Sequence, residues 1–154
     1  MVLPWDKDFL SSETELSSKT ILYASEGQNV NNVSRSIVKK ILGNIDLKDY
    51  SNLPLEEIAS QNFIFLYPKD KSVIDIDQIR DSFKYLFLKS NSKKLLYLEN
   101  IERIETRTFN TLLKFSEEAD KNMIICMSTN NINIVPKTIL SRFQKLKIPK
   151  LNRN

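Results

Sequence analysis

The sequence predicts an α/β sandwich: a five-stranded, mostly parallel sheet with helices packed on both faces. Three observations carry that prediction. Short apolar runs alternate along the chain with segments whose apolar residues recur at intervals of three and four. One run, Met123–Thr129, is apolar at nearly every position, as a central parallel strand covered on both faces should be. The only two glycines, Gly27 and Gly43, stand where one pattern gives way to the next.

The elements follow in order. Thr20–Ser25 (TILYAS) is a β-branched, apolar run bounded by polar residues and is the first expected strand. From Val33, the residues Val33, Ile37, Val38, Ile41 and Leu42 fall at helical spacing, and Gly43 is expected to close that helix as its left-handed residue. Asn44–Gln61 is polar and irregular, with Pro54 and a short LEEIAS turn. Asn62–Tyr67 (NFIFLY) is the second strand, stopped by Pro68. Asp75 and Asp77 introduce an amphipathic helix carrying Ile76, Ile79, Phe83, Leu86 and Phe87. Lys94–Glu99 is the third strand. Glu105–Glu118 reads as a helix with Phe109, Leu112, Leu113 and Ser116 on its inner stripe. Met123–Thr129 is the fourth strand, Pro136–Leu140 a short helix, and Gln144–Ile148 a fifth strand ended by Pro149.

With 154 residues, 41% of them hydrophobic and 27% charged, the chain fits one domain able to bury its own core. It contains no histidine and one cysteine, Cys126. Histidine-based catalysis, an internal disulfide and Cys/His zinc sites are thereby excluded, and no metal site is expected. No apolar run approaches the ~20 residues of a membrane span, and Met1–Thr14 lacks a signal-peptide pattern. The expected location is the cytoplasm, with no membrane partner. Charge is uneven: residues 1–120 carry 16 basic and 19 acidic side chains, whereas residues 121–154 carry seven basic ones and no acid. That segment can meet phosphates or an acidic surface, or simply be solvated.

In a parallel α/β sheet, ligands bind at the carboxyl ends of the strands. The loop after the first strand, laid on the phosphate-loop pattern G-x-x-x-x-G-K-[ST], matches at Gly27 and Ser34. Asn32 replaces the second glycine and Val33 the lysine. Asn tolerates left-handed backbone, so the loop can still turn there. Valine cannot supply the cation that meets the β- and γ-phosphates. The third strand ends in Glu99-Asn100, where a phosphate-loop ATPase has one carboxylate for the metal and another for the attacking water. Glu99 suits the first role; Asn100 cannot act as a base.

Three later segments are more specific: Asn110–Glu118 (N-x-L-L-K-x-x-E-E), the polar strand end Thr129-Asn130, and Pro136–Arg142 (P-x-T-I-x-S-R). Together with the altered phosphate loop, the I-x-I-D-x-I-R run at Ile74–Arg80 and Glu99-Asn100, they make residues 20–151 resemble the ATPase-like (AAA+) domain of bacterial clamp-loader subunits, in particular the delta-prime subunits of DNA polymerase III. The resemblance implies a P-loop NTPase-like sandwich with residues 1–19 as a lead-in and 152–154 as a tail. It also implies a DNA-replication subunit that does not hydrolyse ATP and needs no cofactor of its own. Arg142 would project into the ATP/Mg site of a neighbouring subunit, with Ser141 orienting it. The degenerate nucleotide site would comprise Gly27, Asn32, Val33, Ser34, Glu99, Asn100 and Thr129. Partners would be the catalytic ATPase subunit and delta, with weak contact to the DNA backbone.

Departures from the family pattern are Phe143 where a cysteine usually follows Ser-Arg, Ala119 where proline usually follows Glu-Glu, and the absence of cysteine from Asn44–Gln61, where a zinc insert can lie. By the same resemblance the lid and collar would begin near Leu151, so an excised or shortened unit is expected. Other readings stay open at this point. Arg142 also suits a surface arginine at a helix C-terminus. The whole domain could be a residual ATP-binding switch, or a stand-alone basic adaptor for DNA.

Overall fold

The computed structural model describes residues 18–24, 29–68, 73–87, 93–119 and 122–148. Five strands, β1 (Lys19–Tyr23), β2 (Phe63–Leu66), β3 (Lys94–Leu98), β4 (Met123–Thr129) and β5 (Gln144–Lys147), form one sheet in the order β2-β3-β4-β1-β5. Every pairing is parallel. The helices are α1 (Asn31–Asp46), α2 (Ile76–Phe87), α3 (Thr106–Glu118) and the single turn α4 (Lys137–Leu140).

Strand alternation sorts the core into two apolar clusters, one on each face. Ile21, Leu96, Leu98, Ile125 and Met127 pack with Ile79, Phe83 and Leu86 of α2, Phe109 and Leu112 of α3, and Ile139 and Phe143 beyond. Leu22, Leu95, Tyr97 and Cys126 point to the other face and pack with Ile37, Val38 and Leu42 of α1. The sheet is thus covered on both sides, which explains why β3 is buried at all five positions and β4 at all but Ile124. Phe83 and Phe115 stack at 5.0 Å and 12°, locking α2 to α3.

Local sequence accounts for the helix starts. Asp75 and Gln78 form a reciprocal capping box: Gln78 N–H donates to Asp75 Oδ1 at 2.9 Å, and Asp75 N–H to Gln78 Oε1 at 2.9 Å. The end of α1 differs from expectation. Gly43 lies inside the helix, and the left-handed residue is Leu47, with φ 55° and 90% of its surface exposed. The N–H groups of Leu47 and Lys48 both return to the Gly43 carbonyl. This fold-back brings the Lys48 carbonyl oxygen within 2.7 Å of where a Gly43 Cβ would stand. Glycine is needed for that close approach, not for helix termination.

Smaller corrections concern boundaries and faces. α1 begins at Asn31, so Asn32 is helical rather than left-handed. Among the described non-glycine residues, positive φ is confined to Leu47 and Asn100. Leu113 is only partly buried, while Thr108 joins the inner face of α3. The basic C-terminal stretch is part of the fold as far as Ile148, whose N–H bonds the Tyr23 carbonyl. Lys145 and Lys147 sit exposed on β5, an edge strand, where charge discourages pairing with another sheet.

Candidate functional site

The sheet order places β1 between β4 and β5, so the carboxyl ends of β1, β3 and β4 form one rim beside the first turn of α1. In register, Tyr23 stands opposite Thr129. Gly27 lies outside the described residues. Ser34 is fully buried, and its Oγ has no hydrogen-bond partner among the described residues. Val33 packs, partly buried, against the apolar cluster under α1. Asn32 is exposed.

Glu99, just past β3, is buried and held by Arg35, the residue after Ser34. Arg35 Nη2 donates to Glu99 Oε1 and Nε to Oε2, both at 2.7 Å, a two-pronged contact. Nη1 of the same guanidinium reaches Glu56 Oε1 at 2.6 Å, and the group lies 5.3 Å above the centre of the Phe65 ring. The bond to Glu99 is the main reason the Arg35 guanidinium holds its proton even more firmly than usual, burial acting against it and Glu56 in favour. Beneath the pair, the Tyr97 hydroxyl is 3.1 Å from both Glu99 Oε2 and Ser128 Oγ. Burial, and secondarily Glu99, push the Tyr97 phenol well above its ordinary range, so it stays protonated. A carboxylate only accepts, so the Tyr97 proton goes to Glu99. The Ser128 hydroxyl donates to Tyr97 and accepts from the Asn100 N–H at 3.3 Å.

The neighbouring polar residues are also paired with one another. Asn100 adopts φ 58°, and its side-chain oxygen accepts from Asn130 Nδ2 at 3.1 Å. Asn130 Oδ1 in turn accepts the N–H of Val30, the residue that opens α1, at 3.0 Å. Thr129 Oγ1 donates to Glu102 Oε2 at 2.6 Å and accepts from the Asn131 N–H at 3.0 Å. Of the predicted nucleotide-site residues, the fold therefore gathers Ser34, Glu99, Asn100 and Thr129 at one rim. Val33 faces apolar neighbours. These residues do not fit a metal–nucleotide: the phosphate cation is missing at Val33, and the metal-type carboxylate already holds an arginine. Cys126, buried in the middle of β4, is no nucleophile; burial alone pushes its thiol up to about 12.

Arg142 lies apart from this rim network, just after α4. Its Nε pairs with Glu117 Oε1 of α3 at 2.7 Å, and both side chains are about half exposed. The Thr138 carbonyl accepts from Arg142 Nη1 and from Ser141 Oγ, each at 3.1 Å. Two motifs far apart in sequence, Asn110–Glu118 and Pro136–Arg142, thus meet in one ion pair. Sequence reasoning did not single out Arg35, Glu56, Tyr97 or Glu117 for the site. For Arg35 a signal existed: a basic residue beside the serine of a phosphate loop that has lost its lysine.

A family model described as DNA polymerase III, delta subunit, matches residues 11–152. The chain belongs to this family. It is a domain of the DNA polymerase III clamp-loader family. The DNA polymerase III subunit gamma of Buchnera aphidicola subsp. Baizongia pistaciae (strain Bp) is 31% identical over 102 residues, which is 64% of this chain and 27% of that protein. A gamma subunit-related protein from Thermotoga maritima superposes with a TM-score of 0.68 at 17% identity, over 95% of this chain and 46% of that one. The RuvB Holliday junction branch migration motor of the same organism gives 0.56 at 12% identity, over 96% and 45%. These structural likenesses concern the fold. The family domain spans about a quarter of the length of the curated relative and under half that of the solved structures. No described helix is long and apolar enough to cross a membrane.

Proposed function

We propose that this chain acts in clamp loading as a delta-prime-type subunit that does not hydrolyse ATP and that lends Arg142 to the ATP site of a neighbouring subunit. The observation that carries the reading is the capture of Glu99 by Arg35, with both carboxylate oxygens bound to the guanidinium. A carboxylate so engaged is not available to a metal ion, Asn100 is no base, and Val33 carries no charge. The chain's contribution to chemistry then lies outside its own rim.

Arg142 supports the donor role by chemistry and position. A guanidinium is matched in shape to phosphate oxygens, and that of Arg142 is about half exposed at the turn after α4. Ser141 anchors to the same Thr138 carbonyl and so restricts the turn from which Arg142 extends. The partners of this reading are the catalytic loader ATPase and delta.

The test is the DNA-stimulated ATPase of the catalytic subunit reconstituted with this protein. Arg142→Ala should lower it by several orders of magnitude, up to the ~10³–10⁵ that an arginine supplied in trans contributes, while the variant still co-purifies with its partners. Unchanged turnover would remove Arg142 from the role. A second reading, a residual nucleotide-binding switch, has one observation in its favour: the buried Ser34 hydroxyl on the first turn of α1 has no partner among the described residues.

A further inference from the structure

At the rim of the sheet, among the described residues, the chain itself supplies a partner for the buried carboxylate of Glu99 and for the backbone N–H that opens α1, while the Ser34 hydroxyl is left over. Arg35 brings Glu99 and Glu56 together around one guanidinium. The Asn130 side-chain oxygen takes the backbone N–H at the start of α1. The first arrangement places a cation on a buried carboxylate. The second places an acceptor oxygen on a helix-terminal N–H, a group that otherwise attracts anions.

We propose that Arg35 and Asn130 are built-in stand-ins for a bound cation and anion, fixing α1 against β3 and β4. The idea rests on the non-hydrolysing reading above and goes further, because it assigns these two residues a task. Arg35 is a positioning residue: it ties α1 to the Glu56 turn before β2 and to the end of β3. Asn130 closes the other side by linking the end of β4 to Val30 and, through Asn100, to β3.

The device makes a specific prediction about cations. Removing the guanidinium leaves two carboxylates, Glu99 and Glu56, that had shared it, with the Tyr97 ring beside Glu99. Terbium is a suitable probe, since a lanthanide bound there would be sensitised by the Tyr97 phenol. The full chain and Arg35→Met are titrated with terbium, and thermal melts are recorded with and without the ion. Wild type should show no Glu99-dependent emission and no shift in melting temperature. Arg35→Met should melt lower by roughly 6–12 °C, show tyrosine-sensitised emission that the added Glu99→Gln change abolishes, and regain part of the lost melting temperature with terbium. Arg35→Lys, which keeps a cation without the fork, should melt above Arg35→Met. Arg35→Met/Glu99→Leu, with neither charge, should fold and recover most of the loss. For the other half, Asn130→Ala should remove hydrogen-exchange protection from the Val30 amide.

An Arg35→Met chain as stable as Arg35→Lys, a folded Arg35→Met chain without Glu99-dependent emission, or such emission from wild type would each overturn the proposal. None of these outcomes bears on turnover. ATP hydrolysis by the purified wild-type chain would instead break the non-hydrolysing reading, so the two failures are separable.

Discussion

Two arginine–glutamate pairs in this molecule have the same N···O distance, 2.7 Å, and opposite surroundings. In the Arg35–Glu99 pair the glutamate side chain retains 3% of its surface and the arginine 30%; in the Arg142–Glu117 pair the glutamate retains 50% and the arginine 45%. Length alone would call them equal. Burial separates them. A carboxylate withdrawn from water cannot be left unpaired without cost, whereas two half-exposed partners exchange each other for water almost freely. The inner pair is therefore a fastening, and the outer pair is one that either partner can leave at little cost.

The comparison can be broken in order of expected effect. The largest change belongs to Arg142→Ala in a reconstituted loader, where the neighbour's turnover should fall by up to ~10³–10⁵ with the melting temperature of this chain nearly unmoved. A parallel loss of stability would mean that Arg142 is structural. Next comes Arg35→Met, at about 2–4 kcal/mol in denaturant unfolding. That is below the 3–5 typical of a fully buried pair, because Arg35 keeps some contact with water. Gly43→Ala should cost about 1–3 kcal/mol despite alanine's better helix propensity, since its Cβ would press on the Lys48 carbonyl. A stabilising result would show that the turn after α1 yields easily.

Acid provides a further contrast. Burial pushes the Asp46 carboxyl up, but hydrogen bonds from Tyr50 at 2.6 Å and Asn62 at 3.0 Å together hold it below its ordinary value. Glu56 is likewise held low, first by its own backbone N–H and then, against burial, by Arg35. Folded values below unfolded ones give stability that is present above about pH 4 and disappears as pH falls through the lower folded values. Denaturant unfolding should thus weaken between pH 5 and 3, and Asp46→Asn should flatten that slope. The smallest effect is Glu117→Gln, within about 0.5 kcal/mol. A loss as large as that of Arg35→Met would erase the distinction between the two pairs.

How far this was legible in the sequence follows from which interactions are local. Apolar periodicity reveals strands and helices because each face repeats every two or three to four residues, so the sandwich could be read directly. That Asp75 and Pro136 introduce helices was equally plain. The strand-end residues Glu99, Asn100 and Thr129 could be placed near Ser34 by the rule that such ends share a rim. Their partners could not. Arg35 and Glu99 are 64 residues apart, Val30 and Asn130 are 100 apart, and their pairing depends on a strand order that periodicity leaves undetermined. Gly43 misled for a related reason. Its need for space comes from a carbonyl five residues later, a contact that the usual association of glycine with helix ends does not contain.

The contrast between a filled rim and an available arginine comes down to whether this chain holds nucleotide. The most direct measurement is a titration of the purified protein with a fluorescent ATP analogue and magnesium, carried to millimolar concentration. A flat response is expected, because Val33 brings no cation and Glu99 is already held by Arg35. Saturable binding in the micromolar range would contradict that picture, and the domain would then be a nucleotide-dependent switch in which Arg35 must give way.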